Sequence, residues 1–302
     1  MLNQYIKCPL LVKASNEKVI YQCITAEEVG WQNLNFESRM LKQDETWEGN
    51  TGQNEMLFVL LGGNFSVQTD QKFWETKNGR KDVFSGLPHA LYLPPNTQYS
   101  IKATSSVLDL ACGWCPAEEI YPAQFITPEK VDEMGIEYRG GDNASRQINS
   151  ILPPGSACHR LVSVEVYTPS GNWSSFPAHK HDTIKIDPET GGVKEACLEE
   201  IYFYKIDQPQ GYAMQRVYTD DRSLDEITEP HNNDVVLVPR GYHPVVALHG
   251  YNVYYLNFLA GSHQSLANSD DPDHKWIYGT WKGMDTRIPV VTLAMNEDRN
   301  ND

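Results

Sequence analysis

The stretch Phe-Pro-Ala-His-Lys-His-Asp at residues 176–182 is the most informative in the chain, because it places two histidines one residue apart. On an extended segment, His179 and His181 project to the same side, where their imidazoles can share one ion. The run Glu-Ile-Tyr-Phe-Tyr that begins at Glu200 is β-branched and aromatic enough for a strand whose first carboxylate faces the same interior. A later strand, Val-Leu-Val-Pro-Arg-Gly-Tyr-His, delivers His243. Three imidazoles and one carboxylate suit a borderline divalent metal with an open coordination position.

This order of ligands is close to the two-part motif of the cupin superfamily. The sequence departs from that motif in two places: the gap between His181 and Glu200 is long, and one residue rather than two separates Gly241 from His243. A His-x-His pair alone is more often surface chemistry than a pair of ligands, so the prediction of a metal site depends on the whole pattern. The resemblance implies an all-β fold built from jelly-roll-like barrels.

The amino-terminal half contains what we interpret as a second copy of the same pattern. Glu55-Met-Leu-Phe-Val-Leu-Leu-Gly resembles the strand that begins at Glu200, and Glu55 precedes Pro94 by 39 positions, as Glu200 precedes Pro239. The two copies are therefore offset by 145 positions, which indicates an internal duplication. The first copy has no His-x-His, and Tyr99 stands near the place of a ligand histidine. We therefore predict a bicupin, two tandem cupin-type barrels of which the first is metal-free.

The predicted organisation has four segments. They are a degenerate metal-free barrel (1–125), a linker with a short helix (126–150), a metal-binding barrel (151–261) and a carboxyl-terminal tail (262–302). The helix is expected after Thr127 as N-cap, with a proline at its first position and Gly135 at its end. Residues 139–146 are rich in glycine and small polar residues, which places the boundary within a loop rather than a strand.

Composition and charge favour a small-molecule partner. Forty acidic against 25 basic residues give a net charge of -15, which repels nucleic acid and anionic lipid. No apolar run is long enough to span a bilayer, and the amino terminus lacks the regions of a signal peptide. We therefore expect a cytoplasmic protein with no nucleic-acid and no membrane partner, and leave open whether it forms a homo-oligomer.

The six cysteines are expected to be reduced, since a chain of this length can bury a core without disulfides. Cys112 and Cys115 form a C-x-x-C that could be a redox pair or half of a zinc site. No second cysteine pair follows, and no strand-then-helix context surrounds the motif. Structural burial is the prediction for both.

The motifs quoted above, together with Pro-Gln-Gly-Tyr-Ala-Met-Gln-Arg-Val-Tyr-Thr-Asp-Asp-Arg-Ser-Leu-Asp-Glu at residues 209–226, resemble the 5-deoxy-glucuronate isomerases of myo-inositol breakdown. Those proteins are bicupins related to the 4-deoxy-uronate isomerases of pectin breakdown. The resemblance covers nearly the whole chain. It implies a metal-dependent aldose–ketose isomerase that converts 5-deoxy-D-glucuronate, a deoxy-uronic acid, to 5-dehydro-2-deoxy-D-gluconate.

The same resemblance implies the ligands of one divalent ion. They are His179, His181, Glu200 and His243. Glu199 is the weaker candidate for the acidic ligand, because in the resembling proteins the residue directly before the Ile/Val-Tyr-Phe-Tyr run coordinates. The long insertion at residues 182–198 also looks typical of this family. We expect zinc or manganese, with iron and nickel as alternatives.

Isomerisation moves a proton from C2 to C1, which requires a base and a Lewis acid at the paired oxygens. Glu165 is the predicted base because it is acidic and lies mid-strand on a face that also carries polar residues, with a tyrosine or a metal-bound hydroxide as alternatives. Arg216 is predicted to hold the substrate carboxylate in two parallel hydrogen bonds, the alternative being a structural salt bridge. Tyr218 and Tyr255 are predicted to line the ligand-binding interior, although exterior faces remain the alternative for each.

Two other functional classes stay open from the sequence. A cupin of this kind could be a metal-dependent dioxygenase, or a non-catalytic protein that binds sugar acids. The chain contains neither a G-x-G-x-x-G nor a G-x-x-x-x-G-K loop, so hydride transfer to a nicotinamide and phosphoryl transfer lose support.

Overall fold

The computed structural model describes residues 10–15 and 19–297, and within them it is mostly β-strand, as predicted. The strands of the first half are β1 (Leu11–Val12), β2 (Ile20–Ile24), β3 (Asn35–Lys42), β4 (Thr46–Asn50), β5 (Asn54–Gly62), β6 (Phe65–Thr69), β7 (Phe73–Glu75), β8 (Ala90–Leu93), β9 (Gln98–Ala103), β10 (Val107–Pro116), β11 (Gln124–Ile126) and β12 (Ile136–Arg139). Those of the second half are β13 (Arg146–Leu152), β14 (Val162–Thr168), β15 (Trp173–Ser174), β16 (His179–Lys180), β17 (Lys185–Ile186), β18 (Val193–Glu195), β19 (Leu198–Ile206), β20 (Ala213–Tyr218), β21 (Asp225–Thr228), β22 (Val235–Val238), β23 (Val245–Ala247), β24 (Val253–Gly261) and β25 (Ser269–Asp270).

Helices are few and short. They are α1 (Ala26–Val29), α2 (Pro128–Met134) and α3 (Ala294–Glu297), with 3-10 turns at Asp142–Ala144 and Lys275–Ile277. α2 follows Thr127 and ends before Gly135, which confirms the helix expected between the two halves. Among the described residues, no helix has the length and apolar character needed to cross a membrane.

Four sheets stack to form two barrels. The first barrel contains the order β11-β8-β5-β10-β3-β2 and the smaller sheet β4-β9-β6-β7. The second contains the order β1-β22-β19-β24-β14-β13-β12 and the smaller sheet β15-β23-β20-β21. Each barrel has its own apolar interior between its two sheets. The two large sheets therefore each have two buried faces, one toward the interior of their own barrel and one toward the other barrel.

The largest buried cluster lies between the two large sheets and joins the barrels. Phe36 of the first barrel packs between Phe203 and Phe258 of the second, with ring centroids 5.3 and 5.8 Å away. Gly113 permits this approach, because a Cβ there would lie 2.3 Å from the ring of Phe258. Burial of such apolar surface is the main favourable term in folding, so the barrels stabilise one another.

Successive residues of each central strand face different compartments. In β19, Tyr202 and Tyr204 belong to the interior cluster of the second barrel, whereas Ile201 and Phe203 belong to the cluster between the barrels. The two-residue period of a strand then places Glu200 on the interior side with Tyr202. This parity decides which side chains can reach the predicted metal site.

The predicted equivalence of Glu55 with Glu200 is wrong by one residue. In the ladders, Met56 pairs with Leu93 as Glu200 pairs with Val238, and Met56 lies in the interior cluster of the first barrel. Glu55 instead points toward the second barrel. The first barrel therefore carries an apolar thioether where the second carries a carboxylate, which supports the prediction that the first barrel is metal-free.

The boundary between the barrels also differs from the prediction. β12 and β13, which cover much of the expected linker, belong to the large sheet of the second barrel. β1 crosses in the other direction, since Leu11 pairs with Val236 of the second barrel although the sequence assigns residues 1–125 to the first. Glycine and asparagine between residues 139 and 146 mark a turn within a hairpin of the second barrel rather than a linker.

The carboxyl-terminal segment, predicted as a tail, packs against both barrels. β25 pairs with β16, and Val291 is fully buried in the cluster between the barrels. The side chain of Asn296 both donates to and accepts from the backbone of Leu87 in the first barrel. The segment thus ties both barrels together.

The C-x-x-C motif lies within β10, where its two cysteines face opposite sides. Cys112 belongs to the interior of the first barrel and Cys115 to the cluster between the barrels. Both thiols are buried and free, as expected. Residues three apart on a strand cannot meet, so this pair forms neither a disulfide nor half of a metal site.

Candidate metal centre

The predicted ligands come from three places in the second barrel. His179 and His181 lie at β16 and just after it, Glu200 lies near the start of β19, and His243 lies in the loop between β22 and β23. Glu200 points inward by the parity of β19, and Gly241, in the left-handed region with φ of 91°, turns the chain so that His243 follows. Each ligand thus depends on a strand end or turn of the sheets around the interior.

His181, Glu200 and His243 converge on one point. Their nearest ligand atoms all lie within 4.8 Å of one another. The Nε2 atoms of His181 and His243 lie 2.9 and 3.2 Å from Oε2 of Glu200. All three side chains are buried, so the group is shielded from bulk water.

The second ring nitrogen of each of these two histidines faces a backbone carbonyl. Nδ1 of His181 lies 3.1 Å from the carbonyl oxygen of Leu198, and Nδ1 of His243 lies 2.8 Å from that of Gly241. A carbonyl only accepts hydrogen bonds, so each Nδ1 carries a proton, and in the neutral imidazole each Nε2 then presents a lone pair. Nε2 of His243 has no hydrogen-bond partner among the described residues although it is buried. Two lone pairs and a carboxylate that face one another fit a shared cation.

The charges around Glu200 favour its ionised form. Burial raises the pKa of Glu200, but its hydrogen bond with His181 and its close contact with His243 outweigh burial and bring the pKa to about 2. Burial lowers the pKa of His181, yet its hydrogen bond to Glu200 leaves that pKa above its ordinary value. A carboxylate that stays ionised is the form that binds a metal.

His179 lies beside this group but outside the set of three converging atoms. Its ring centroid is 4.8 Å from that of His243, in an edge-on arrangement. Burial, followed by the neighbouring charge of His243, holds the pKa of His179 well below its usual value, so the imidazole is neutral and can act as a ligand. Its role as the fourth ligand stays a prediction.

A cavity of about 440 Å³ opens beside these residues. His179, His181 and Glu200 lie in its wall. Further polar or aromatic lining comes from Glu137, Arg139, Arg146, Ser175, Tyr202, Tyr255, Asn257, Asn268, Asp270, Tyr278 and Trp281. A cavity of this size is typical of small-molecule sites.

Of the two tyrosines predicted to line the interior, the structure places only Tyr255 at the cavity. The hydroxyl of Tyr255 lies 2.5 Å from Oγ of Ser174, and its ring centroid lies 4.8 Å from that of Tyr202. Tyr218 lies outside the cavity wall, packs against Tyr242 and donates to Asp271 at 2.5 Å. The expectation that Tyr218 contacts substrate is not supported by this position.

Glu165, the predicted base, lies on the wrong face of its strand. Val164 and Val166 line the cavity, so Glu165 between them points toward the first barrel. There it is fully buried and forms an ion pair with Arg80, with a distance of 3.0 Å from Oε2 to Nη2. Tyr254 and Asn149 also donate to its carboxylate. Because these partners occupy both oxygens away from the cavity, Glu165 cannot reach a ligand there.

Arg216 also lies outside the cavity. Its side chain is 40% exposed, and Nε and Nη2 each donate to a carboxylate oxygen of Asp225 at 2.7 Å. The alternative of a structural salt bridge therefore describes this residue, and another cation must meet any anionic substrate.

A match to a known protein family shows where this chain belongs. The KduI/IolB family profile matches residues 10–277. The chain belongs to the KduI/IolB family. Within it, 5-deoxy-glucuronate isomerase of Geobacillus kaustophilus is 42% identical over 255 residues, which cover 84% of this chain and 89% of that protein.

Solved structures agree with this KduI/IolB membership. The crystal structure of an IolB-like protein from Salmonella typhimurium LT2 superposes with a TM-score of 0.84 at 36% identity, and covers 90% of this chain and 100% of its own. Oxalate decarboxylase of Bacillus subtilis, a protein with Mn(II) centres, superposes with a TM-score of 0.61 at 12% identity, covering 87% of this chain and 79% of its own. The second likeness shows the cupin fold alone.

Sequence reasoning missed several residues of the cavity wall. Arg146 was hidden in the stretch interpreted as a loop, and Asp270, Tyr278 and Trp281 were hidden in the segment interpreted as a tail. Residues 146–152, Arg-Gln-Ile-Asn-Ser-Ile-Leu, do not alternate strictly between apolar and polar residues, so the sequence offers no clear signal of the strand found there.

Proposed function

We propose that this protein is a metal-dependent aldose–ketose isomerase that converts 5-deoxy-D-glucuronate to 5-dehydro-2-deoxy-D-gluconate in myo-inositol breakdown. The observation that carries the proposal is the convergence of His181, Glu200 and His243 beside a cavity large enough for a sugar acid. The similarity to isomerases of this name supports the choice of substrate.

The chemistry of the donor set fits one divalent ion, and we propose zinc or manganese held by His179, His181, Glu200 and His243. When bound, the ion supplies a Lewis acid that polarises the paired oxygens at C1 and C2. The protein supplies the orientation of this centre: the carbonyls of Leu198 and Gly241 fix the imidazoles that face Glu200.

Proton transfer between C2 and C1 requires a group of the protein that lines the cavity. The carboxylates in the wall, apart from Glu200, are Glu137 and Asp270, and Glu137 is bound by Arg139 at 2.6 Å. Asp270 pairs with His179 across the β16–β25 ladder, so both side chains leave the ladder on the same face. Tyr278 donates to Asp270 at 3.1 Å and orients it, and the exposed Lys275 lies 3.6 Å from its other oxygen, farther than Arg139 lies from Glu137. We therefore assign Asp270 as the base, in place of Glu165.

The proposal is tested by incubating metal-loaded protein with 5-deoxy-D-glucuronate without oxygen and following ketose formation. The same assay is repeated after treatment with a chelator and after reloading with zinc or manganese. Ketose formation that disappears on chelation and returns on reloading is expected. In deuterated water, the ketose should carry solvent deuterium at C1, at least in part, because the proton passes through a protein group.

The alternatives give different results in the same experiment. Consumption of oxygen coupled to loss of substrate would indicate a dioxygenase. Saturable binding of the uronate by metal-loaded protein, with no ketose formed, would indicate a sugar-acid-binding cupin. Either result would replace the proposed reaction.

A further inference from the structure

Arg146 is a cation in the cavity wall for which the described part of the chain provides no anion. Arg146 is only 9% exposed to solvent. Among residues 10–15 and 19–297, no carboxylate forms an ion pair with it, and no acceptor takes a hydrogen bond from its guanidinium. Buried charges in proteins are normally paired and hydrogen-bonded, so this guanidinium needs an explanation.

The neighbours of Arg146 increase the free-energy cost of burying its charge. Arg146 stands directly opposite Arg139 in the β12–β13 ladder, where like charges destabilise a sheet. Arg139 is neutralised by Glu137, whose carboxylate lies 2.6 Å away. The aromatic residues around Arg146 include Tyr255 and Tyr278, which offer no full negative charge at neutral pH. The guanidinium of Arg146 therefore has no carboxylate partner of its own among the residues that the structure describes, although Glu200 and Asp270 lie in the same cavity wall.

Arg146 and the candidate metal centre lie in the wall of the same cavity. Tyr255 lines the same cavity, its ring centroid lies 4.8 Å from that of Tyr202, and the ring centroid of Tyr202 lies 5.7 Å from that of His243. A hexuronic acid carries its carboxyl group at C6, at the opposite end from the C1 and C2 atoms that react. A substrate with its reacting end at the histidines would extend its carboxylate along the cavity.

We propose that Arg146 is the residue that binds the carboxylate of the substrate and so selects uronic acids over neutral sugars. The inference rests on the proposed function, because it assigns the two ends of the substrate to two parts of the same cavity. A planar guanidinium accepts a carboxylate in two parallel hydrogen bonds, which fixes the direction of the sugar as well as its affinity. Arg146 acts as a specificity residue and takes no part in proton transfer.

The test uses two non-reacting ligands, so that binding is measured apart from turnover. The first is the hexonate obtained by reducing the aldehyde of 5-deoxy-D-glucuronate to an alcohol. The second is the uncharged hexitol obtained by reducing the carboxyl group as well. Neither can isomerise, and they differ only in the carboxylate. Calorimetric titration of metal-loaded protein gives both dissociation constants.

The natural protein is expected to bind the hexonate about tenfold to a hundredfold more tightly than the hexitol, as charge-assisted hydrogen bonds warrant. Arg146→Met should remove most of this preference while the affinity for the hexitol stays within about threefold. Arg146→Lys should keep part of it, because a point charge replaces the bidentate contact. Arg216→Met, which removes an arginine paired with Asp225 outside the cavity, is the matched control and should keep the preference.

Equal weakening of both ligands in Arg146→Met would assign Arg146 a structural role and overturn the proposal. Equal binding of the two ligands by the natural protein would overturn it as well, whether or not the protein isomerises 5-deoxy-D-glucuronate. Conversely, a preference that depends on Arg146 in a protein that forms no ketose would sustain the carboxylate site while removing the proposed reaction. Thermal unfolding of Arg146→Met checks the fold, which should be no less stable because an unpaired cation is removed.

Discussion

Glu55 and Glu199 occupy equivalent positions in the two barrels, and each carboxylate accepts hydrogen bonds from three consecutive backbone amides of the other barrel. Glu55 accepts from residues 159–161 at 2.6 to 2.8 Å, just before β14. Glu199 accepts from residues 32–34 at 2.7 to 2.9 Å, just before β3. Each glutamate thus fixes the segment that leads into a central strand of its neighbour. These hydrogen bonds hold the carboxylate of Glu199 toward the first barrel, away from the cluster of His181, Glu200 and His243.

Replacing Glu55 by glutamine is expected to lower the free energy of unfolding by about 1–3 kcal/mol, because a neutral amide accepts three backbone hydrogen bonds less well than a carboxylate. Glu199→Gln should cost less, since Glu199 is partly exposed whereas Glu55 is fully buried. Urea unfolding at pH 7 measures both. Glu226→Gln, at an exposed position of β21, is the control and should change little. Equal stabilities of Glu55→Gln and this control would contradict the structural role.

His243→Ala should reduce bound metal and activity together. Substitution of a residue that hydrogen-bonds a metal ligand typically lowers metal affinity or activity about tenfold to a hundredfold. Loss of a direct ligand should therefore lower activity at least about a hundredfold. Metal content by elemental analysis and turnover are measured on the same sample. His249→Ala removes an exposed histidine of the same barrel and serves as the control. Full metal occupancy in His243→Ala would remove this residue from the ligand set.

Asp270→Asn should lower kcat by about 10²–10⁴-fold, the usual contribution of a positioned general base, with a much smaller change in KM. The amide has nearly the same shape, so metal content should be retained. Asp273→Asn, in the same segment but exposed, provides the comparison. If kcat of Asp270→Asn stayed within about threefold of the natural protein, the proton would have to be carried by another group of the cavity.

The buried imidazole of His89 is expected to make the folded protein less stable in mild acid. Burial lowers its pKa from 6.5 to about 4, and Nδ1 has no hydrogen-bond partner among the described residues. Between these two values the unfolded chain binds a proton that the folded protein does not, so stability is full above pH 6.5 and falls toward pH 4. This residue alone should make the protein about 2 kcal/mol less stable at pH 5 than at pH 7.

The check compares urea unfolding at pH 5 and pH 7 for the natural protein and for His89→Gln, which cannot titrate. Between pH 7 and pH 5, the free energy of unfolding of the variant should fall by about 2 kcal/mol less than that of the natural protein. His249→Gln, at an exposed position, should behave as the natural protein does. An identical pH dependence in His89→Gln would show that other groups cause the acid sensitivity.

The sequence predicted the all-β fold and the convergence of His181, Glu200 and His243, because both follow from local patterns. His181 is placed by its spacing from His179, and Glu200 and His243 are placed by a strand start and a turn. Patterns of this kind depend on period and turn chemistry, which are properties of neighbouring residues. The prediction that Cys112 and Cys115 are buried structural residues is also confirmed, and it rested on the absence of a second cysteine pair.

The face of β14 could not be predicted, because all seven residues of that strand are buried. When both faces are covered, alternation of polar and apolar residues no longer marks the interior. Glu165 was therefore assigned to the cavity, whereas its partner Arg80 comes from a distant loop of the first barrel. The same limit explains the one-residue error that matched Glu55 with Glu200.

The contributions of Arg146 and Asp270 to the cavity depend on long-range pairing. Arg146 enters the wall because β13 pairs with β14, and Asp270 enters because β25 pairs with β16. Both strands follow stretches whose composition favours loops. Such pairings are set by the tertiary fold rather than by propensity, so no local pattern announces them.

The crossing of β1 into the second barrel makes the two halves an inseparable pair. Leu11 and Val12 cover the outer edge of β22, and Lys13 and the backbone of Ala14 bind the carboxylate of Asp234. A fragment containing only the second barrel would leave this edge open, and an open edge is a template for pairing between molecules. Fragments cut between the two barrels should therefore aggregate, and circular permutation of the chain should be tolerated only where β1 can still pair with β22. Although the chain contains two copies of one barrel, neither copy is an independent domain, because each contributes to covering the other.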